Sequence, residues 1–271
     1  SGAKTLTKNN FVTVTDQTVL NKIIDTGARS QLKEINLTSE GVTDLGTITR
    51  RGFSYNQGSG AVQPELYIGD AKMTLARWPN SGKLVYDTVV SQGTPPTSST
   101  DGGDGPLLRF STAVSRFSSW NDKTNVWIDG ILSRDWSWTY NKIESISGDN
   151  KDVKLEYGDA GGDINTWCLT RGFHFENILE EIDMPGEYFI DRTTGKLYLY
   201  PPANFNDASV TAKLSMTNAN LVQMNTVSNV TFRSIIFEMG RQNAILSTNY
   251  WTAPNNESSE QNILLDRLEV R

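Results

Sequence analysis

A nine-residue pattern of apolar and polar positions occurs twice near the C-terminal end of the chain. Asn229-Val230-x-Phe232-x-x-Ile235-x-Phe237 returns as Asn262-Ile263-x-Leu265-x-x-Leu268-x-Val270, with every matched position displaced by 33 residues. Each copy holds two short alternating apolar pairs with a break between them, which predicts two short strands joined by a corner. A turn-prone Asn opens each copy, and Asn side chains stacked along a repeat axis can hydrogen-bond to one another. Such units cannot bury their apolar face alone and need neighbours above and below. The pattern therefore predicts coils of a parallel β-helix, with a β-meander of the same spacing as the competing reading. The second copy stops at Arg271, and a solenoid ending on a strand leaves an open edge. Ser1-Gly2-Ala3-Lys4 carries no signal-peptide pattern. The expectation is a piece of a larger protein, with further chain or a second polypeptide supplying more coils.

Earlier in the chain the spacing changes. Asp16 as an N-cap, then Val19, Leu20, Ile23 and Ile24 at helical intervals, then Gly27 as a stop, predict a helix over 16–27. Most of the chain between this helix and the repeat reads as short strands. Glu65 to Ile68 and Ala71 to Trp78 flank Gly69-Asp70, a hairpin signal, and Pro79-Asn80-Ser81-Gly82 ends the second strand. Residues 91–106 are a low-complexity loop without core-forming side chains. Strands resume at Val126 to Ile128, Lys142 to Ile146 and Val153 to Tyr157, the last two joined by the turn cluster Ser147 to Asn150. Tyr188 to Asp191 and Lys196 to Tyr200 form a further hairpin, after which Pro201-Pro202 reads as a boundary. The fold class is all-β. Residues 1–54 read as the end of a first set of coils with one short helix, 55–205 as an antiparallel β-sandwich-like insert, and 206–271 as returning coils.

Composition narrows the functional classes. A net charge of −6 and a pI near 5.0 leave no basic surplus for a nucleic-acid backbone. No apolar run approaches membrane-spanning length. Cys168 is the single cysteine, which excludes an internal disulfide and a cysteine-based zinc site. Flanked by Trp167 and Leu169, it reads as a buried small hydrophobe.

The stretch Phe173 to Asp191, FHFENILEEIDMPGEYFID, followed by TGKLYLYPP, resembles a segment common in bacterial right-handed β-helix proteins that include glycoside hydrolases. There it reads as an aromatic pair, then ENxLEELDxPGEWYLD, then a hairpin. Met73 to Asn80, Asp135 to Trp138 and Val227 to Ile245 are similar to further segments of that group. The resemblance implies coils, a β-sandwich insert and a return to coils, with a carbohydrate as partner and a secreted or periplasmic location. It implies a glycoside hydrolase, with a polysaccharide lyase or a non-catalytic sugar-binding solenoid as alternatives.

Glycosidases of the common kind need two carboxyl groups about 5–9.5 Å apart. Glu238, Asp266 and Glu269 lie on the repeating strands and are the catalytic candidates, although the main site is expected on coils outside this chain. Trp251 and Tyr250, on the excursion between the two copies, are candidates for stacking on a sugar. Arg241 could clamp an anionic sugar, or pair with Glu238 three residues earlier. His174, the sole histidine, stands where the resembling proteins carry an aromatic residue, which favours packing. Glu176, Glu180, Glu181 and Asp183 form an acidic cluster that capping and a turn explain more simply than catalysis. Trp136 and Trp138 share one face of a strand, a spacing that favours burial in a sandwich core over a sugar-binding surface. Asp101, Asp104, Asp159 and Asp163 lie in Gly-rich loops and read as turn formers and not calcium ligands. No cofactor or metal is expected.

Overall fold

The computed structural model describes residues 2–53, 63–97, 101–164, 172–247 and 261–271. Short strands dominate, and the α-helices among the described residues are Gln17–Leu20 and Val114–Ser119, both short. No helix among the described residues is long and apolar enough to cross a membrane.

Two sheets share the first core. A four-stranded sheet orders Ala3–Leu6, Ala212–Ser215, Leu66–Ile68 and Ala71–Lys72, all antiparallel. A five-stranded sheet orders Val12–Thr13, Lys33–Asn36, Lys196–Leu199, Glu187–Asp191 and Thr74–Leu75. Leu6, Leu66, Ile68 and Leu214 from the first pack with Ile35, Leu197, Leu199 and Ile190 from the second. The eight-stranded sheet runs Arg77–Trp78, Phe173–Glu176, Trp127–Ile131, Trp138–Ile146, Asp152–Leu155, Leu107–Arg109 and Thr88–Ser91, with Arg51–Gly52 pairing onto Trp138–Ile146. One face of it carries Ile128, Ile143, Phe173 and Phe175 into a second core, closed by Phe110, Phe117 and Trp120. Phe175 lies 5.2 Å from the Phe117 ring and 5.4 Å from Trp120, both angled contacts typical of aromatic clusters.

The segment read as one strand from Ala71 to Trp78 is three. Ala71–Lys72, Thr74–Leu75 and Arg77–Trp78 join three different sheets in succession. Alternation breaks between Leu75 and Ala76, which are both buried in different cores, and the edges the segment meets are set by other parts of the chain. Ala76 N, for example, donates to Tyr188 O at 2.8 Å.

The helix predicted over 16–27 stops at Leu20. Asp16 does cap it, accepting from Thr18 N at 2.8 Å. Beyond Leu20 tertiary partners take the backbone groups that a helix would use. Ile24 N donates to Glu180 O, and the Arg29 guanidinium donates to Ile23 O at 2.8 Å. Asp25 then accepts from Gly27 N and Ala28 N, opening a separate 3-10 turn. The helix Val114–Ser119 has no counterpart among the predicted elements, because its apolar residues are too few to register a period.

From residue 222 onward, strands pair in parallel. Val222–Met224 pairs with Ile245–Ser247, Thr231–Arg233 with Leu264–Asp266, and Ile236–Phe237 with Glu269–Val270. The last two ladders hold the 33-residue register read from the repeat, as in Phe232↔Leu265 and Phe237↔Val270. The break inside each copy is a left-handed corner, with φ of 55° at Ser234 and 53° at Arg267. The opening asparagines adopt the same conformation, φ 59° and 55°, and Asn262 Nδ2 donates to Asn229 Oδ1 at 2.8 Å. Asparagine tolerates this region better than other residues with a Cβ. Asn229→Ala should therefore cost about 1–3 kcal/mol, combining left-handed strain with a lost hydrogen bond. Urea denaturation measures it, and a change below about 0.5 kcal/mol would show that the asparagine pair does not hold the corner.

Candidate functional site

Strand alternation divides the eight-stranded sheet into two unlike faces. With Ile128, Phe173 and Phe175 turned to the core, Trp127, Asp129, His174 and Glu176 face the other way. Pairing aligns them in two rows. Arg77, Glu176, Trp127 and Lys142 form one, and His174, Asp129, Tyr140 and Arg51 form the next. Asp129 and Glu176 are thus diagonal neighbours on one face, a relation that sets positions about 7–8 Å apart. Gly130 lets the two strands pair closely beside Asp129, since a Cβ there would meet the Gly172 carbonyl at 2.5 Å and Phe173 Cβ at 2.4 Å.

These rows floor a cleft of about 300 Å³. Arg51, Asp129, Tyr140, Glu176 and Arg77 line it from the sheet, and Glu65, Lys72, Thr74 and Tyr188 from its neighbours. Glu176 is 9% exposed. Burial, reinforced by the negative charge of Asp129, pushes its carboxyl up to about 7, against the pull of Arg77 and Arg51. Tyr140 is buried, and its hydroxyl lies near enough to the Glu176 carboxyl to favour the charged form, yet closes no hydrogen bond among the described residues. The Arg51 guanidinium lies 4.4 Å above the Tyr140 ring, and its Nε is buried without a hydrogen-bond partner among the described residues. Trp127 stacks on Tyr140 at 5.3 Å. Trp138 Nε1 donates to Asp129 Oδ1. His174 sits beside them with Nδ1 donating to Pro79 O at 2.7 Å, and burial lowers its pKa against the pull of that bond.

The predicted acidic cluster is pulled apart by the fold. Only Glu176 of the four enters the cleft. Glu180 accepts from Asn121 N and Nδ2, both at 2.9 Å. Glu181, with a fully buried side chain, is bound by Arg116 and by Trp120 Nε1. Asp183 accepts from Asn80 Nδ2 and faces Arg116 at 3.3 Å. Glu187 stabilises the adjoining turn by accepting from Asp183 N and Met184 N. Burial lifts the Glu187 carboxyl to about 8. Both Glu176 and Glu187 then bind their protons more tightly folded than unfolded, so the stability they contribute is fully present below about pH 4.5 and is lost as pH rises toward 8. The melting temperature should accordingly be higher at pH 5 than at pH 8. A flat profile in calorimetry would remove both carboxyls from this role.

Trp136 and Trp138 are not core residues. They are 60% and 41% exposed, and Phe53, 40% exposed, meets Trp136 edge-on at 4.8 Å. Period two places two side chains on one face without saying which face is the core. Here Ile143 on the opposite face packs into the core, and Trp138 follows Tyr140 outward.

The residues singled out on the repeating strands lie elsewhere. Glu238 Oε2 and Glu269 Oε1 both face Arg271, at 3.4 Å and 3.3 Å. Asp266 belongs to the adjacent ladder and is bound by Arg233 Nε at 2.6 Å. Arg241 does not pair with Glu238. Its enclosed guanidinium binds Asp44 Oδ2 at 2.7 Å and Ser215 O at 2.8 Å, tying the loop around residue 44 to the end of strand Ala212–Ser215. Tyr250 and Trp251, like Trp167 and Cys168, lie outside the described residues. Asp101 shapes its loop through Thr97 and Gly103, Asp104 pairs with Lys154, and Asp159 is buried against Ser133. Among the described residues no three His, Cys, Asp or Glu side chains converge as a metal site would require. Asp129 and Glu176 are legible in the sequence as charged residues in otherwise apolar strands, WIDGI and FHFE. What the sequence does not reveal is that their strands are neighbours.

No family model and no curated protein matches this sequence. A solved structure named "Glycoside hydrolase" superposes on the chain with a TM-score of 0.45 and 15% identity, over 65% of this chain and 31% of that one. The chain thus spans about a third of that neighbour's length.

Proposed function

We propose that this chain is part of a secreted carbohydrate-active protein, a glycoside hydrolase built on a right-handed parallel β-helix. In this reading the cleft over Glu176 and Asp129 handles the sugar. One observation carries the catalytic part: a carboxylic acid that keeps its proton to about pH 7 lies diagonally across from a second carboxyl in a partly enclosed cleft. That division of environments is how acid and partner roles are separated between two carboxyls. Glu176 gives its proton to the glycosidic oxygen as the C–O bond breaks, and a water supplies the new C–O bond. Asp129 is the second carboxylate that either stereochemical course requires. The exposed rings of Phe53, Trp136 and Trp138 extend the surface on which a glycan can lie. The parallel ladders, their left-handed corners and the asparagine pair support the β-helix part.

The test is incubation of the chain with a panel of polysaccharides between pH 5 and 8, following new reducing ends and ultraviolet absorbance. Reducing ends without unsaturated products are expected. Unsaturated, absorbing products would mean elimination and a lyase. Absence of both cleavage and binding across the panel would overturn the assignment of this cleft.

A further inference from the structure

Exposed apolar side chains that occur singly need no explanation, but several large rings in one place do. Phe53, Trp136 and Trp138 are the exposed large aromatics among the described residues, and they share one patch. Gly52 brings them together. Its φ of 122°, at a position where a Cβ would meet Trp138 O at 2.3 Å, lets the chain run close enough for Phe53 N to donate to that carbonyl at 2.9 Å. Phe53 then braces Trp136 edge-on, and Trp138 Nε1 is held by Asp129. The rings are fixed while remaining open to water, so a ligand landing on them orders few side chains.

Two observations say what covers this patch. It continues into the cleft, because Asp129 and Tyr140 both line the cleft, the first hydrogen-bonded to Trp138 and the second 6.3 Å from its ring. It is also small. Three side chains at these exposures present about 200–350 Å², against about 800 Å² on each side of a stable protein interface. That area suits a sugar and not a protein.

We propose that Trp136 and Trp138, braced by Phe53, form a stacking platform for a non-reacting unit of a neutral glycan chain, so that the cleft beside them acts on oligomers and not on single sugars. This deepens the sugar-handling reading and rests on it. A pyranose with equatorial hydroxyls turns a face of C–H bonds outward, and their partial positive charge meets the negative face of an indole. The Asp129 carboxylate at the edge of the Trp138 ring repels an anionic unit at the same place. Binding energy from the remote unit then positions the bond to be broken beside Glu176.

The experiment measures binding at pH 6 by calorimetry and tryptophan fluorescence. The probes are xylo-, cello- and manno-oligosaccharides from monomer to hexamer, with oligogalacturonates of equal length. In at least one neutral series the tetramer should bind 10-fold or more tightly than the monomer and alter the indole emission. Trp136→Ala and Trp138→Ala should each abolish that gain with length. Trp138→Phe, which keeps a stacking face and loses the N–H to Asp129, should retain more of the gain than Trp138→Ala. Val90→Ala, at an exposed apolar side chain on the far edge strand of the same sheet, should leave the gain intact. Melting curves show that each variant is folded. Equal affinity at every length, or a gain that survives both alanine variants, would overturn the platform and leave the sugar cleft standing. Oligogalacturonates gaining as much with length would overturn a neutral chain as its occupant. If no oligosaccharide of either kind binds, the sugar-handling reading falls with the platform.

Discussion

Glu176→Gln should lower glycosidic cleavage by about 10²–10⁴-fold, the range that general-acid catalysis contributes. The substitution keeps size and shape but removes the transferable proton. In the unaltered protein that proton is retained to about pH 7 because the carboxyl is buried beside Asp129, so activity should fall as pH rises through 7. The variant should lose this alkaline limb along with its rate. Stability should move the other way. Ionising Glu176 in its buried position works against the fold by about 1.4 kcal/mol per pH unit of displacement, and glutamine avoids this. At pH 8 the variant should therefore be more stable than the parent by up to about 3 kcal/mol, and at pH 4 no more stable. Lower activity with higher alkaline stability separates a site residue from a merely structural one. Unchanged cleavage would reject Glu176 as the acid.

Arg116→Met should destabilise the protein by about 3–5 kcal/mol, the cost of leaving a buried charge without its partner. Arg116 reaches Glu181 with two nitrogens, Nε to Oε1 at 2.7 Å, and touches Asp183 at 3.3 Å. The Glu181 side chain is fully buried, and burial raises its pKa despite the hydrogen bonds from Arg116 and Trp120. This pair joins the helix Val114–Ser119, which closes the aromatic core, to the segment just after Glu176. Adding Glu181→Gln to the variant should recover a large part of the loss, because the uncompensated charge is gone. The defect should also shrink in acid as Glu181 takes up a proton. Denaturant titrations of the two single variants and the double test this, and a loss below about 1 kcal/mol would show that the pair is dispensable.

Features controlled by neighbouring residues can be read along the chain. Alternation and turn residues locate the hairpins around Ser147 to Asn150 and Arg192 to Gly195, which the structure contains as strands Trp138–Ile146 with Asp152–Leu155 and Glu187–Asp191 with Lys196–Leu199. The 33-residue repeat sets the register of the Thr231–Arg233 and Ile236–Phe237 ladders and the Asn229 to Asn262 hydrogen bond, because a repeated pattern stacks like on like. Features that depend on distant segments become visible only once the chain is folded. Folding ends the helix at Leu20 by giving Ile24 and Ile23 other partners. It turns Trp136 and Trp138 outward, since period two is blind to which face another segment will cover. It sends Arg241 to Asp44, 197 positions away, in place of Glu238 three positions away. Above all it draws Glu176 out of a run of four acidic residues and sets it beside Asp129, 47 positions earlier, by pairing two strands. A carboxyl becomes an acid useful at neutral pH only through burial and a neighbouring charge, and both come from residues far away along the chain.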